Sequence, residues 1–119
     1  GTTEKSNKSN PNLLYAFMKA TAEATLLARQ NPAVAKKAIG KFTDTNDASI
    51  IDGTYVQFAP YWDAHLAVRS EPRQGQLIYL DEKEFPRAKD ARAGEFFDNS
   101  FADYLKTSGF LQSLGAAKQ

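Results

Sequence analysis

Proline placement constrains this chain more than any other feature. Of its five prolines, two directly follow Asn, at Asn10-Pro11 and Asn31-Pro32. An Asn before a Pro is a helix-start signal. The Asn side chain can accept from a free N–H of the first turn, and a Pro at the first helical position sacrifices no intrahelical bond while presetting φ. The same ring stops any helix arriving from the amino-terminal side. The chain is therefore divided into short helical lengths, one opening at Pro11 and closing before Asn31, the next opening at Pro32.

Side-chain periodicity fills those lengths. Leu13, Leu14, Phe17, Met18, Thr21, Ala24, Thr25 and Ala28 recur at i, i+3, i+4 and i+7, which predicts one apolar stripe on a helix ending near Arg29 and Gln30. Val34, Ala35, Ala38 and Ile39 carry the second helix to about Phe42. Residues 43–47 offer several capping side chains, and Ile50, Ile51, Thr54, Tyr55 and Phe58 predict a third helix that Pro60 interrupts. Gly53 within it costs about 1 kcal/mol relative to Ala, which hints at close packing of another backbone. Residues 60–70 have no persistent period and read as a loop.

A fourth helix is expected to open at 70–72 and to carry Leu77, Ile78, Leu80 and Phe85 until Pro86 ends it. Residues 87–95, charged and alanine-rich with Gly94 as punctuation, read as a surface connection. Asp98, Asn99 and Ser100 supply a cap for a last helix through Phe101, Tyr104 and Leu105. Gly109 stands where a left-handed residue closes such a helix, with Phe110 as the hydrophobic contact of a Schellman-type stop. The runs 54–58 and 77–80 contain β-formers but fit a helical stripe at least as well. The expected fold class is mainly α, about five helices in a single segment over 1–119, with 1–9 and 115–119 flexible.

Composition excludes several kinds of function. Fifteen Lys and Arg against fourteen Asp and Glu leave a formal charge of +1, so no net field draws in nucleic acid. The chain has no Cys, which removes disulfides, thiolate metal sites and cysteine nucleophiles together. No run approaches the roughly 20 apolar residues of a membrane span, and the amino terminus lacks the layout of a secretory signal. Its polar opening with Gly1 suggests a start partway through a longer product.

His65 is the single histidine, so a catalytic dyad, or a metal half-site with Asp63, would rest on one imidazole. A solvated loop histidine is the simpler reading. Asp81 with Glu84, or Glu82 with Glu84, have Lys83 between them and read as a wet helix face and not as acid–base pairs. The glycines at 40, 53, 75, 94 and 109 are isolated and form no phosphate cradle. No catalytic residue, metal or cofactor is assigned.

The densest aromatic cluster is Tyr55, Phe58, Tyr61 and Trp62, with Arg69 and Arg73 a few residues on. Aromatic bodies with polar tips suit the wall of a ligand cleft, and an arginine fork suits an anionic group, although the same residues also plug helical cores and solvate helix entrances. The ligand-binding candidates are Tyr61, Trp62 and Arg69.

The order of these signals has a counterpart. Thr2-Thr3-Glu4-Lys5, followed by Asn10-Pro11-Asn12-Leu13-Leu14-Tyr15-Ala16-Phe17-Met18-Lys19-Ala20, resembles a helix of the solute-binding proteins of nitrate-, sulfonate- and taurine-type ABC importers. Asn31-Pro32-Ala33-Val34-Ala35 is similar to that family's next helix. Pro86-Arg87-Ala88-Lys89-Asp90-Ala91, Phe97-Asp98-Asn99-Ser100-Phe101 and Ser108-Gly109-Phe110 resemble the end of those proteins. The motifs are mostly helix-start and helix-stop grammar and cover nearly the whole chain.

The resemblance is to the last part alone of a two-lobed, type II-like periplasmic binding fold, whose sheet-bearing part has no counterpart here. It implies a segment of an importer's substrate-binding component for a small anionic or sulfonate-like solute. The implied location is periplasmic or extracytoplasmic, and the implied partners are the remainder of the binding protein and an ABC permease. Related proteins bind thiamine pyrimidine precursors, and the superfamily also resembles pyrimidine synthases, but no reactive constellation here matches an enzyme. The isolated segment is expected to bind solute weakly if at all, and to associate with itself or with the remainder through its apolar stripe. The competing reading is a free-standing helical protein-interaction module using the same stripe.

Overall fold

Cap chemistry near the amino terminus sets the first elements. The computed structural model describes residues 2–69, 76–77, 79–80, 83–88 and 90–115. Among them the chain forms six α-helices and no strand, so it is mainly α. α1 spans Glu4–Ser9, a helix that the polar composition of 1–9 did not announce, and the Thr3 hydroxyl caps it by accepting from the Ser6 N–H at 3.2 Å. α2 spans Pro11–Gln30. Asn10 precedes it as expected, but its side chain caps nothing there. Its backbone N–H donates to the Ser6 carbonyl and closes α1, and its Nδ2 donates to the Ser9 hydroxyl at 3.1 Å.

α3 spans Pro32–Thr43, with Asn31 in the capping role the sequence assigns it: Oδ1 accepts from the Val34 N–H at 3.3 Å. Asp44, at φ 50°, closes α3 in the left-handed region that short polar side chains tolerate. α4 spans Ala48–Phe58, capped by Asp47, whose Oδ1 accepts from Ser49 and Ile50 at 2.8 and 3.2 Å. Pro60 then lies in a 3-10 turn, Ala59–Tyr61.

The glycine needed for close packing is Gly40, not Gly53. A Cβ on Gly40 would stand 3.0 Å from both the Thr45 carbonyl oxygen and the Ile51 Cδ1, whereas a Cβ on Gly53 meets nothing within 4 Å. Close approach is required where α3 turns back onto α4, and Gly53 sits on an open part of α4.

The expected fourth helix does not run through to Phe85. Gln76 and Leu77 are helical, but Tyr79 and Leu80 donate to the carbonyls of Gln76 and Leu77 in three-residue turns, and 83–88 is a chain of turns. Leu77, Leu80 and Phe85 line one open cleft, in which Leu80 and Phe85 remain 40 and 50% exposed. Ser70, Pro72, Gly75 and Ile78 of that predicted helix lie outside the described residues. After a 3-10 turn at Ala93–Phe96, α5 spans Ser100–Thr107 and α6 spans Phe110–Ser113. Gly109 adopts φ 77° as the sequence predicts, but Phe110 begins a further helical turn.

α2 packs against α3 and α5, and α3 against α4. The core comprises Ala22, Ala64, Leu105 and Leu111, flanked by Met18, Leu26, Leu66 and Phe110. Leu105 is the largest fully buried side chain. Tyr15 joins α2 to α5 through its ring, 4.8 Å from that of Phe101 and 4.5 Å from that of Tyr104.

The stripe predicted on α2 is divided. Leu14, Met18, Thr21, Thr25 and Ala28 turn inward and are half-buried, while Leu13, Phe17 and Ala24 face solvent. The inward threonines satisfy their hydroxyls on the helix itself, Thr21 donating to the Phe17 carbonyl and Thr25 to the Thr21 carbonyl, both at 2.8 Å.

Candidate functional site

The aromatic cluster begins where α4 gives way to the 3-10 turn. Pro60 ends the α-helical ladder, and Trp62 leaves the turn in an extended conformation, φ −72°, ψ 113°. Its ring meets that of Tyr55, seven residues back on α4, edge to face at 5.7 Å and 77°. Lys36 reaches across from α3, with Nζ 5.7 Å from the Tyr55 ring centroid and 2.8 Å from the Asp52 carboxylate. The ammonium over the Tyr55 face makes a cation–π contact, and the exposed Asp52 neutralises the same cation.

Of the three candidates named from sequence, only Trp62 joins this arrangement. Tyr61 is 81% exposed and Arg69 is exposed; among the described residues neither side chain has a ring contact or an ion pair. Phe58 is 49% exposed and not part of the core. Arg73, Asp81 and Glu82 lie outside the described residues, and Glu84 is exposed. Sequence proximity suggested Tyr61 and Arg69; the turn at 59–61 sends Tyr61 outward. The residue proximity could not suggest is Lys36, whose approach depends on α3 folding back along α4.

The following loop is more ordered than its lack of periodicity implies. Ala64 is buried and anchors the loop in the core, between Ala22, Leu105 and Leu111. Leu66, at φ 56°, occupies a region that costs a non-glycine residue about 1–2 kcal/mol, and its packing against that core offsets the strain. Val68 is held by the side chain of Asn99, whose Oδ1 accepts from the Val68 N–H and whose Nδ2 donates to the Val68 carbonyl, each at 2.9 Å.

Asp63 and His65 form a local pair within this loop. The Asp63 Oδ1 accepts from the His65 N–H at 2.9 Å and lies 2.8 Å from Nδ1. Partial burial pushes the Asp63 carboxyl up, but the His65 N–H and imidazole, with the charges of His65 and Arg29, outweigh it and hold the carboxyl below its ordinary value. The pair is therefore a folded turn. His65 bonds to Asp63 and, among the described residues, to no hydroxyl that a base could activate.

A cleft of about 700 Å³ lies elsewhere, its lining including Leu77, Leu80, Phe85, Pro86, Arg87, Asp90, Glu95 and Phe96. It shares no residue with the Trp62 cluster. The stretch 87–95 reads as a surface connection from its charge; of its described residues Arg87, Asp90, Arg92, Gly94 and Glu95 are exposed, but Ala93 is buried where the 3-10 turn begins, and the apolar Leu77, Leu80, Phe85 and Phe96 flank the stretch around the cleft.

Comparison of the chain with models of protein families, with curated proteins and with solved structures gives no match.

Proposed function

We propose that the chain is the helical carboxy-terminal part of the substrate-binding component of an ABC importer for a small anionic or sulfonate-like solute. It would act outside the cytoplasmic membrane, with the remainder of the binding protein and an ABC permease as partners. The observation that carries this reading is how little the chain buries. Among the described residues the buried apolar side chains are Leu105, Leu111 and five alanines, while Phe42, Val56, Leu13 and Phe17 stand largely in solvent. A self-sufficient globule buries its large apolar residues first. A piece that forms one wall of a larger body leaves them for its neighbour. The ordered resemblance from Thr2-Thr3-Glu4-Lys5 to Ser108-Gly109-Phe110 supports the identity of that body.

In this reading Trp62 and Tyr55 present an aromatic wall with Lys36 at its edge, and the outward Tyr61 and Arg69 are available to the opposite lobe. A solute held between two lobes is desolvated by both, so one wall alone gives weak binding. Calorimetry of this chain with taurine, nitrate and small alkanesulfonates is expected to show no saturable heat; tight uptake would overturn the one-wall assignment. The intact mass of the native gene product tests the larger claim. A sheet-bearing portion ahead of Thr2 and an export signal are expected, and a gene encoding these residues alone would sink it.

A second reading, a free-standing helical interaction module, is favoured by the exposed apolar residues on α2. The same gene-product mass separates the two.

A further inference from the structure

We infer that α2 carries a self-complementary seam and that two copies of this chain pair through it, antiparallel, about Ala20. α2 is two-sided. Its inward face, Tyr15, Met18, Ala22 and Leu26, packs on the core and on α5. Its opposite face carries Leu13, Phe17, Ala20, Ala24 and Leu27, all exposed, with Leu13, Phe17 and Leu27 at 68, 65 and 50%. A helix apolar on both sides is one built to be covered on both sides.

The outer residues are separated by four, three, four and three positions, the spacing of a coiled-coil seam and the one that keeps a stripe facing a second helix. The stripe runs about 21 Å along the axis. Its residue sizes choose the partner. With two copies antiparallel about Ala20, Leu13 meets Leu27 of the second copy, the small Ala24 comes within one residue of the level of Phe17, and Ala20 meets itself. In a parallel pairing Phe17 would collide with Phe17 and leave a void between the two Ala24 residues. Large-against-small matching across a two-fold axis defines an isologous interface. The antiparallel arrangement also sets the helix dipoles favourably, and Glu23, the single charge flanking the seam, opposes the neutral Ala16 region of the second copy.

The chain as a whole has surface to spare. The chain exposes 9248 Å², against about 6,400 Å² for a compact monomer of its mass. The excess is several times the roughly 800 Å² that each partner buries in a standard interface. The radius of gyration of 17.5 Å, against about 13.5 Å for a compact chain of this length, points the same way.

The inference draws on Leu13 and Phe17, exposed residues that the transport reading also uses, but the two fail on different results. A monomer would overturn the pairing and leave that reading standing, and a gene encoding only these residues would do the reverse. Sedimentation of the full chain over a wide concentration range is expected to show a monomer–dimer equilibrium. The double variant Ala20→Glu, Ala24→Glu, both at exposed helical sites, is expected to raise the dissociation constant about tenfold or more with unchanged helicity by circular dichroism. Because the chain has no cysteine, single thiols report the register. Ala20→Cys is expected to form a symmetric disulfide readily, and Leu13→Cys to cross-link faster with Leu27→Cys than with itself. A monomer at every concentration, a dimer indifferent to the two glutamates, or cross-linking of Ala20→Cys no faster than of the exposed Ser49→Cys would overturn it.

Discussion

Asn99 clasps Val68 from 31 residues away with two hydrogen bonds of 2.9 Å, one in each direction. The side-chain amide thus takes the place of a neighbouring strand for a single residue. It ties the loop after Trp62 to the start of α5, and so fixes the loop whose first residue carries the candidate site. Replacing Asn99 with Ala leaves the Val68 N–H and carbonyl without this partner in a half-buried setting, which costs about 1–3 kcal/mol. Asn99→Asp keeps the acceptor but loses the donor and is expected to cost almost as much. Urea denaturation of the three proteins checks this; equal midpoints would show that water replaces the amide at no cost.

Among the described residues Leu105 is the one large side chain fully enclosed. Since alanines make up most of the remaining buried set, the site has little means of collapsing around a void. Leu105→Ala is expected to destabilise by about 2–5 kcal/mol, enough to consume much of a small domain's stability. Thermal denaturation followed by circular dichroism should show a broadened transition at lower temperature.

Gly40 and Gly53 are expected to respond to alanine in opposite senses. At Gly40 the new methyl presses on the Thr45 carbonyl oxygen, a backbone atom that cannot swing aside, and on Ile51, so Gly40→Ala should cost about 1–3 kcal/mol. At Gly53, exposed in the middle of α4 with open space around it, Gly53→Ala should gain about 0.5–1 kcal/mol. Chemical denaturation of both variants side by side decides the matter, and a shift of the same sign would contradict the geometry.

Asp63 is held below its ordinary pKa once the bonds from His65 outweigh its partial burial. A depressed carboxyl contributes stability above its unfolded pKa and loses it as pH falls through the folded value, so the loss belongs to the region below about pH 4. Asp63→Asn retains an oxygen for the His65 N–H but removes the charge. The wild type is expected to be the more stable at pH 7, with the gap closing towards pH 3, as read from melting temperatures across that range.

The helix starts were legible because their causes are local. Asn31 and Asp47 accept from N–H groups two or three residues away, and Pro60 interrupts a ladder whose other members are four residues away. The same locality misled at Asn10, which is shared between two helices and spends its N–H on closing the first. The stretch 77–85 misled for another reason, since Leu77, Leu80 and Phe85 have helical spacing yet line a common cleft from turns that do not continue a helix. Of the candidate site, Trp62 was legible as an aromatic after a helix-breaking Pro. Lys36 was not, because its place beside Tyr55 depends on how α3 meets α4.

The sequence by itself determined where α2, α3, α4 and α5 begin and that the chain is mainly α, because capping bonds and proline stereochemistry act within four residues. Tertiary structure alone decided which face of α2 turns inward, that Gly40 and not Gly53 must remain without a side chain, and that a loop with no periodicity is held at Ala64 and Val68. Those outcomes depend on contacts between residues far apart in the chain. Periodicity marks an apolar side, but only packing against α3 and α5 selects the part of it that water leaves.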